Sequence, residues 1–387
     1  MKKIFKNAKL ITPQGILENA HVLVEDGKIL SYGTGDTAEE IPAVDLGGKY
    51  LAPGFIDIHV HGGGGNDFME DKPEAMLKAA KAHIENGTTT LLPTSCTSSN
   101  ESLFRMFDNY RKAKENNPDG ARLWGIHLEG PYLSVKMKGA MQEHLLTDAL
   151  PEYYEPVLER GGDLIARWTI APERKGAFAL AEKLHKRGIV VSAGHTTADP
   201  ALMREAATHG FSLATHLYNA MTAMHKEGIF RLSGAAEGAL SSDAYDVEVV
   251  ADGIHQPLEI INIAWRVKGE DRMALITDGT AVSACPVPPS GKSILAEREV
   301  WIEDGVAKLI DRSAIAGSIA TGNILLKKAV AAGIPLKSAV TMLTATPARI
   351  IGADKLGKIA KGAFADLVVL DDELNVVNVY KEGRQVK

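Results

Sequence analysis

Cysteine is nearly missing from this chain of 387 residues. Cys96 and Cys285 are too few for a disulfide framework, which fits a reducing cytoplasm. No apolar run approaches the roughly 18 residues that a membrane span requires, so no membrane partner is expected. Met1-Lys2-Lys3-Ile4-Phe5 opens as a signal peptide would, but Lys6 and Lys9 interrupt any apolar core and no export signal is expected. Positive charge is not in excess: 43 Lys and Arg stand against 49 Asp and Glu, a net charge of −6. That balance argues against nucleic acid as a partner. Three motifs are absent as well. No Gly-x-Gly-x-x-Gly turn follows the first strand, so a nucleotide crevice in an open doubly wound sheet lacks support. The four glycines at 62–65 are not followed by Lys-Ser or Lys-Thr, and neither Ser192-Ala193-Gly194-His195 nor Ala316-Gly317-Ser318 is a nucleophile elbow.

What is plentiful is glycine, at 37 residues, beside 12 histidines. Several segments end in a basic residue followed by glycine: Lys81 to Gly87, Lys186-Arg187-Gly188 and His209-Gly210. A basic last turn offsets the helix dipole, and glycine supplies the left-handed cap. A β-branched or apolar strand follows each cap, as in Thr88-Thr89-Thr90-Leu91-Leu92 and Ile189-Val190-Val191. Repetition of helix, cap and strand predicts parallel βα units. The strand candidates are 55–60, 89–94, 123–128, 166–171, 189–194, 212–217, 247–252 and 273–278. They predict an α/β fold, a closed (β/α)8 TIM-like barrel with its site at the C-terminal strand ends. The two chain ends alternate differently, with turns at Pro13-Gln14-Gly15, Glu25-Asp26-Gly27 and Glu382-Gly383. Residues 1–53 and 355–387 are therefore expected to form one small discontinuous β-sandwich, with the barrel at 54–354 inserted between them. Residues 285–313 read as an excursion after the eighth strand, carrying a hairpin that turns at Glu303-Asp304-Gly305.

Strand ends carry the chemistry. His59 and His61 follow the first strand two apart, so both face one side, as a metal pair requires. Glu129, His195, His216 and Asp278 end other strands. Imidazoles and carboxylates gathered at one barrel mouth suit a divalent ion such as Zn²⁺ or Fe²⁺. His127 shares the face of Glu129 one layer nearer the barrel floor and is read as structural. His83, His185 and His209 are read as helix-end residues, and both cysteines as small and inert.

These segments resemble the amidohydrolase superfamily and, within it, the N-acetylglucosamine-6-phosphate deacetylases. The resemblance covers essentially the whole chain. It rests on Pro53-Gly54-Phe55-Ile56-Asp57-Ile58-His59-Val60-His61-Gly62, on His127-Leu128-Glu129-Gly130-Pro131, and on Ser192-Ala193-Gly194-His195-Thr196. It continues in Thr215-His216-Leu217-Tyr218-Asn219-Ala220-Met221, Val250-Ala251-Asp252-Gly253-Ile254-His255 and Leu275-Ile276-Thr277-Asp278-Gly279. The resemblance implies a hydrolase that splits the acetamide of an amino-sugar phosphate in amino-sugar catabolism. By it, Glu129, His195 and His216 would bind the principal metal, His59 and His61 a second ion, so one or two ions are implied. Asp278 would be the catalytic acid and base. His255 would stabilise the oxyanion and, with Asn219, Ala220 and the backbone at Ala140 and Met141, contact the sugar phosphate. Residues Ile315, Ala316, Gly317 and Ser318 would close over the ligand. Where the family places a basic cluster for the phosphate, this chain offers His225 and Lys226, with Arg231 in reserve. A homodimer is implied too. Alternatives are a deacetylase for N-acetylgalactosamine 6-phosphate, another amidohydrolase such as a D-aminoacylase or a dihydroorotase-like enzyme, and a non-catalytic binding barrel.

Overall fold

The computed structural model describes residues 2–35, 41–287, 290–295 and 298–387. Met1 of the opening basic run and Pro288 and Pro289 of the proline-rich excursion lie outside the described residues. Eight parallel strands form the barrel: β1 (Phe55–Val60), β2 (Thr88–Ser95), β3 (Ile126–Glu129), β4 (Ile165–Ile170), β5 (Val190–Ala193), β6 (Phe211–Ala214), β7 (Asp246–Val250) and β8 (Met273–Ile276). Hydrogen-bonded pairing runs from β1 to β8 in chain order. The ring closes where Asp278 N–H donates to His59 O at 3.0 Å and Val60 pairs with Gly279. One helix follows each strand, from Pro73–Ile84 after β1 to Gly322–Ala331 after β8. The (β/α)8 barrel expected from the rhythm is therefore present. Among the described residues no helix is long and apolar enough to cross a membrane.

Strand periodicity sorts the side chains. Leu91, Leu128, Trp168, Ile170, Val191, Val247, Val249 and Leu275 point outward into the layer shared with the surrounding helices. Ile56, Ile58, Leu92, Leu213, Val250, Ala274 and Ile276 join a separate cluster with Ala348, Ala353 and Leu356. The inward positions near the strand ends are polar instead. His127, Arg167, Thr169, Ser192, Thr215 and Glu248 are all buried there. Strands β5 to β8 are shorter than their apolar runs suggest, and the third is broken. Arg122–Leu123 and Ile126–Glu129 are separate strands. A Cβ on the intervening Gly125 would meet the Ala166 Cβ at 2.6 Å.

Strands from both chain ends merge into one hydrogen-bonded sheet of eight. Leu367–Leu370 pairs antiparallel with Tyr50–Pro53, which places the C-terminal strands beside the N-terminal ones. The rings of Phe5 and Tyr380 meet at 4.7 Å although two strands separate them in sheet order, so the sheet curls over its own core. Phe5, Leu10, Val22, Leu51, Leu367 and Val369 fill that core. After β8, four short strands form a further antiparallel sheet, Gly291–Leu295, Arg298–Glu303, Val306–Leu309 and Ile315–Ser318. The hairpin turns at Asp304 and Gly305 as expected. Its last strand is tied to the barrel mouth, because Ser318 N–H donates to Asp278 O at 2.8 Å.

Candidate active site

Glu129 ends β3 with only 2% of its surface exposed, and imidazoles surround it. Its Oε1 lies 3.1 Å from His195 Nε2, 3.1 Å from His216 Nε2 and 3.5 Å from His59 Nε2. Its Oε2 lies 3.3 Å from His61 Nε2. Asp278 completes the group, with Oδ1 3.5 Å from His59 Nε2 and 3.3 Å from His61 Nε2. Three of these residues leave the strand ladder in left-handed backbone: His195 at φ 47°, His216 at φ 28° and Asp278 at φ 48°. Non-glycine residues held there cost on the order of 1–3 kcal/mol each, and such strain gathers where a side chain must be aimed. It also explains why β5, β6 and β8 stop short of the predicted ends.

The donor set fits a cation. His195 Nδ1–H donates to Met137 O at 2.8 Å, and His216 Nδ1–H donates to Asn219 O at 3.1 Å. With those protons on Nδ1, both Nε2 atoms present lone pairs. They face each other at 3.1 Å and converge on the same carboxylate oxygen. His59 Nε2 is also buried and has no hydrogen-bond partner among the described residues. Two groups of potential ligand atoms result, Glu129 with His195 and His216, and Glu129 with His59 and His61, each within 4.8 Å. Glu129 belongs to both.

The protonation equilibria match that electrostatic demand. Burial works against charging His59, but the carboxylates of Glu129 and Asp278 outweigh it and raise its pKa to about 9. His61 is likewise raised well above its usual value, against its burial, with Cys96, Asp278 and Glu129 beside it. Burial alone would push Glu129 and Asp278 up, yet the neighbouring histidines hold both below the usual carboxylate range. His127, buried and close to Arg167, is pushed well below the usual imidazole value and stays neutral.

A cavity of about 270 Å³ opens above this cluster. His61, Glu129, His195, His216, Asp278 and His255 line it, together with Ala140, Met141, Asn219, Ala220, Ile315, Ala316 and Gly317. His255 Nδ1–H donates to Asp252 Oδ2 at 2.7 Å, and that contact raises the imidazole above its usual value although burial opposes it. His59 lies beneath the cavity, wholly buried. Ser318 lies behind it, also buried, with Oγ accepting from Ala320 N–H at 2.7 Å. His225 and Lys226 do not line the cavity. They stand on an exposed hairpin, His225–Glu227 paired with Phe230–Leu232, where Arg231 lies opposite Lys226.

Several contributors escape a reading by strand ends. Cys96 is not an isolated small residue: its Sγ lies 3.5 Å from His61 Nδ1, and it lines the cavity. His83 is a helix-end residue as read, but a wholly buried one whose Nε2–H donates to Gly62 O at 2.8 Å. Leu295, Val300 and Leu309 of the excursion form an apolar wall that no local motif announces. Asp252 sat in a motif without a role. Glu248 and Arg167 did carry a signal, since each is a charge flanked by apolar residues within a barrel strand, Val247 and Val249 in one case and Ala166 and Trp168 in the other.

Because His59 and His61 carry protons that a bound cation would displace, loading the metal-free protein at pH 7 should release protons. Calorimetry in buffers of different ionisation enthalpy should report at least about one proton per chain, and His59→Asn should release fewer. A buffer-independent enthalpy would contradict the charge balance derived above.

Comparison with known proteins agrees with this geometry. The amidohydrolase family profile covers residues 50–386. The N-acetylglucosamine-6-phosphate deacetylase of Lysinibacillus sphaericus is 31% identical over 98% of this chain and 97% of its own. That of Danio rerio is 33% identical over 89% of this chain and 86% of its own. Among solved structures, an N-acetyl-D-glucosamine-6-phosphate deacetylase variant from Mycobacterium smegmatis, in complex with N-acetyl-D-glucosamine-6-phosphate, superposes with a TM-score of 0.92 at 32% identity. It covers 100% of this chain and 99% of its own. The Pasteurella multocida N-acetylglucosamine-6-phosphate deacetylase also gives 0.92, at 29% identity and the same coverage. The barrel, the metal-ready cluster at its mouth and these relatives agree: the chain belongs to the amidohydrolase family, among its N-acetylglucosamine-6-phosphate deacetylases.

Proposed function

We propose that the chain hydrolyses the acetamide of N-acetyl-D-glucosamine 6-phosphate to D-glucosamine 6-phosphate and acetate. The observation that carries this reading is one cavity faced at once by the Glu129 cluster, the Asp278 carboxylate and the His255 imidazole. An acetamide is a poor electrophile and an amine a poor leaving group. Hydrolysis therefore needs an activated water, a base that can return its proton, and a donor for the developing oxyanion. A divalent cation, Zn²⁺ or Fe²⁺ by its nitrogen and oxygen donors, would be held by Glu129, His195 and His216, with a second at His59 and His61, and would supply Lewis acidity and a water of lowered pKa.

The chain's own residues supply the rest. Asp278, kept ionised by the imidazoles beside it, takes a proton from the attacking water and returns it to the amine nitrogen as the C–N bond breaks. His255, whose protonated form is favoured by its contact with Asp252, donates from Nε2 to the carbonyl oxygen as that atom gains negative charge. Asn219 and Ala220, with the backbone at Ala140 and Met141, contact the sugar phosphate, and Ile315, Ala316 and Gly317 close over it. His225 and Lys226 hold the phosphate in the site of a neighbouring copy within a homodimer. Their hairpin supports this reading by leaving Ile229 and Phe230 85% and 68% exposed. The two free cysteines fit a cytoplasmic enzyme.

Acetate release measured over N-acetylglucosamine 6-phosphate, N-acetylgalactosamine 6-phosphate and unphosphorylated N-acetylglucosamine should be fastest with the first. Asp278→Asn should lower kcat by roughly 10²–10⁴-fold with metal content retained. Near-normal turnover in that variant, or preference for the galactosamine epimer, would overturn the corresponding part of the proposal. The pH profile gives a separate check. His255 acts as a donor only while protonated, so kcat/KM should fall as pH rises through its raised pKa. Asp252→Asn removes the partner charge, lowers that pKa and should move the descending limb to lower pH. An unmoved limb would exclude His255 as its source.

A further inference from the structure

An ion pair lies inside the barrel, directly beneath the cluster. Arg167 and Glu248 are both wholly buried. Arg167 Nη2–H donates to Glu248 Oε2 at 2.7 Å, and Nη1–H donates to Oε1. The remaining donors of the guanidinium are also used, on Ile58 O at 3.1 Å, Ser192 Oγ at 2.8 Å and Thr215 Oγ1 at 3.0 Å. Stability does not require such a pair, because two apolar side chains of similar volume commonly do as well.

Its position suggests another purpose. Besides Arg167, Glu248 Oε2 accepts from His59 Nδ1–H at 3.4 Å and from the backbone N–H of His216 at 3.2 Å. One carboxylate oxygen therefore touches a histidine of each candidate cation group. Arg167 grips the carbonyl of Ile58, immediately before His59. On the far side of the ring, His59 Nε2 is buried, has no hydrogen-bond partner among the described residues, and faces Glu129 and Asp278. We propose that Glu248, clamped by Arg167, is a positioning residue that holds the Nδ1 proton of His59 and so aims Nε2, where a cation would take the place of the second proton, toward Glu129, thereby setting cation affinity at the His59–His61 position. A carboxylate behind a ligating imidazole acts in this way generally. The proposal rests on the reading of His59 and His61 as cation ligands.

The test titrates the metal-free protein with Zn²⁺ against a chromophoric chelator and records thermal unfolding of the same samples. Four proteins are compared: wild type, His59→Ala, Glu248→Gln, and the double variant Arg167→Met with Glu248→Leu, which leaves no unpaired charge. Wild type should bind two equivalents, and His59→Ala should lose one. Glu248→Gln and the double variant should weaken that same equivalent about 10–100-fold, leave the other within a few-fold, and the double variant should unfold as cooperatively as wild type. Wild-type affinity for both equivalents in a folded double variant would overturn the role of Glu248 while leaving the cation ligands intact. A single equivalent in wild type, unaffected by His59→Ala, would instead overturn the cation reading and this proposal with it. Loss of folding in both Glu248 variants would make the pair a requirement of the fold and would also overturn the proposal.

Discussion

A carboxylate buried at the end of a barrel strand stays ionised only where positive charge meets it, and the mouth of this barrel is built around that requirement at Glu129. Four imidazole nitrogens lie within 3.5 Å of its two oxygens. Two of them have their protons committed on the opposite ring nitrogen, which leaves lone pairs facing lone pairs. Such a group is stable with protons on His59 and His61 or with a divalent cation among its donors. The same balance keeps Asp278 ionised, and an ionised carboxylate is what a general base must be at neutral pH.

The rest of the fold serves that mouth. An apolar cluster at Ile56, Leu92, Leu213 and Ile276 fills part of the barrel, and the polar residues near the strand ends support the ligands. Strand alternation separates these from the outer layer that binds the helices. His195, His216 and Asp278 then leave the ladder in left-handed backbone, which brings their side chains to the Glu129 cluster. Closure between β1 and β8 runs through His59 O and Asp278 N–H, so the two strands that complete the barrel also bring His59 and Asp278 together. The excursion after β8 adds the apolar wall of Leu295, Val300 and Leu309 and is tied to the same point through Ser318.

Much of this was legible in the sequence because barrel chemistry is written at strand ends. The run from Asp57 to His61, the Glu129 segment, His195, His216 and Asp278 each follow an apolar strand, and parity alone puts His59 and His61 on one side. Helix-end glycines such as Gly188, at φ 73°, marked the βα rhythm. Long-range pairing was harder to see. Nothing near Glu248 in sequence announces that it meets Arg167 and His59, since that contact exists only once the barrel closes. His83 resembled any basic helix end, yet packing of its helix carries it to Gly62 O. The lengths of β5, β6 and β8 were overestimated because an apolar run does not reveal where a left-handed residue ends the ladder. His225 and Lys226 stand outside the cavity on an exposed hairpin, and the direction of a hairpin is not written in its own residues.

In the proposed reaction a catalytic cation sits on Glu129 between His195 and His216. Anomalous diffraction from crystals grown with zinc, recorded at the zinc absorption edge, locates such an ion. A peak is expected about 2.0–2.2 Å from one Glu129 oxygen and from Nε2 of both histidines. Crystals that hydrolyse N-acetylglucosamine 6-phosphate while showing no such peak, or a peak away from Glu129, would contradict it.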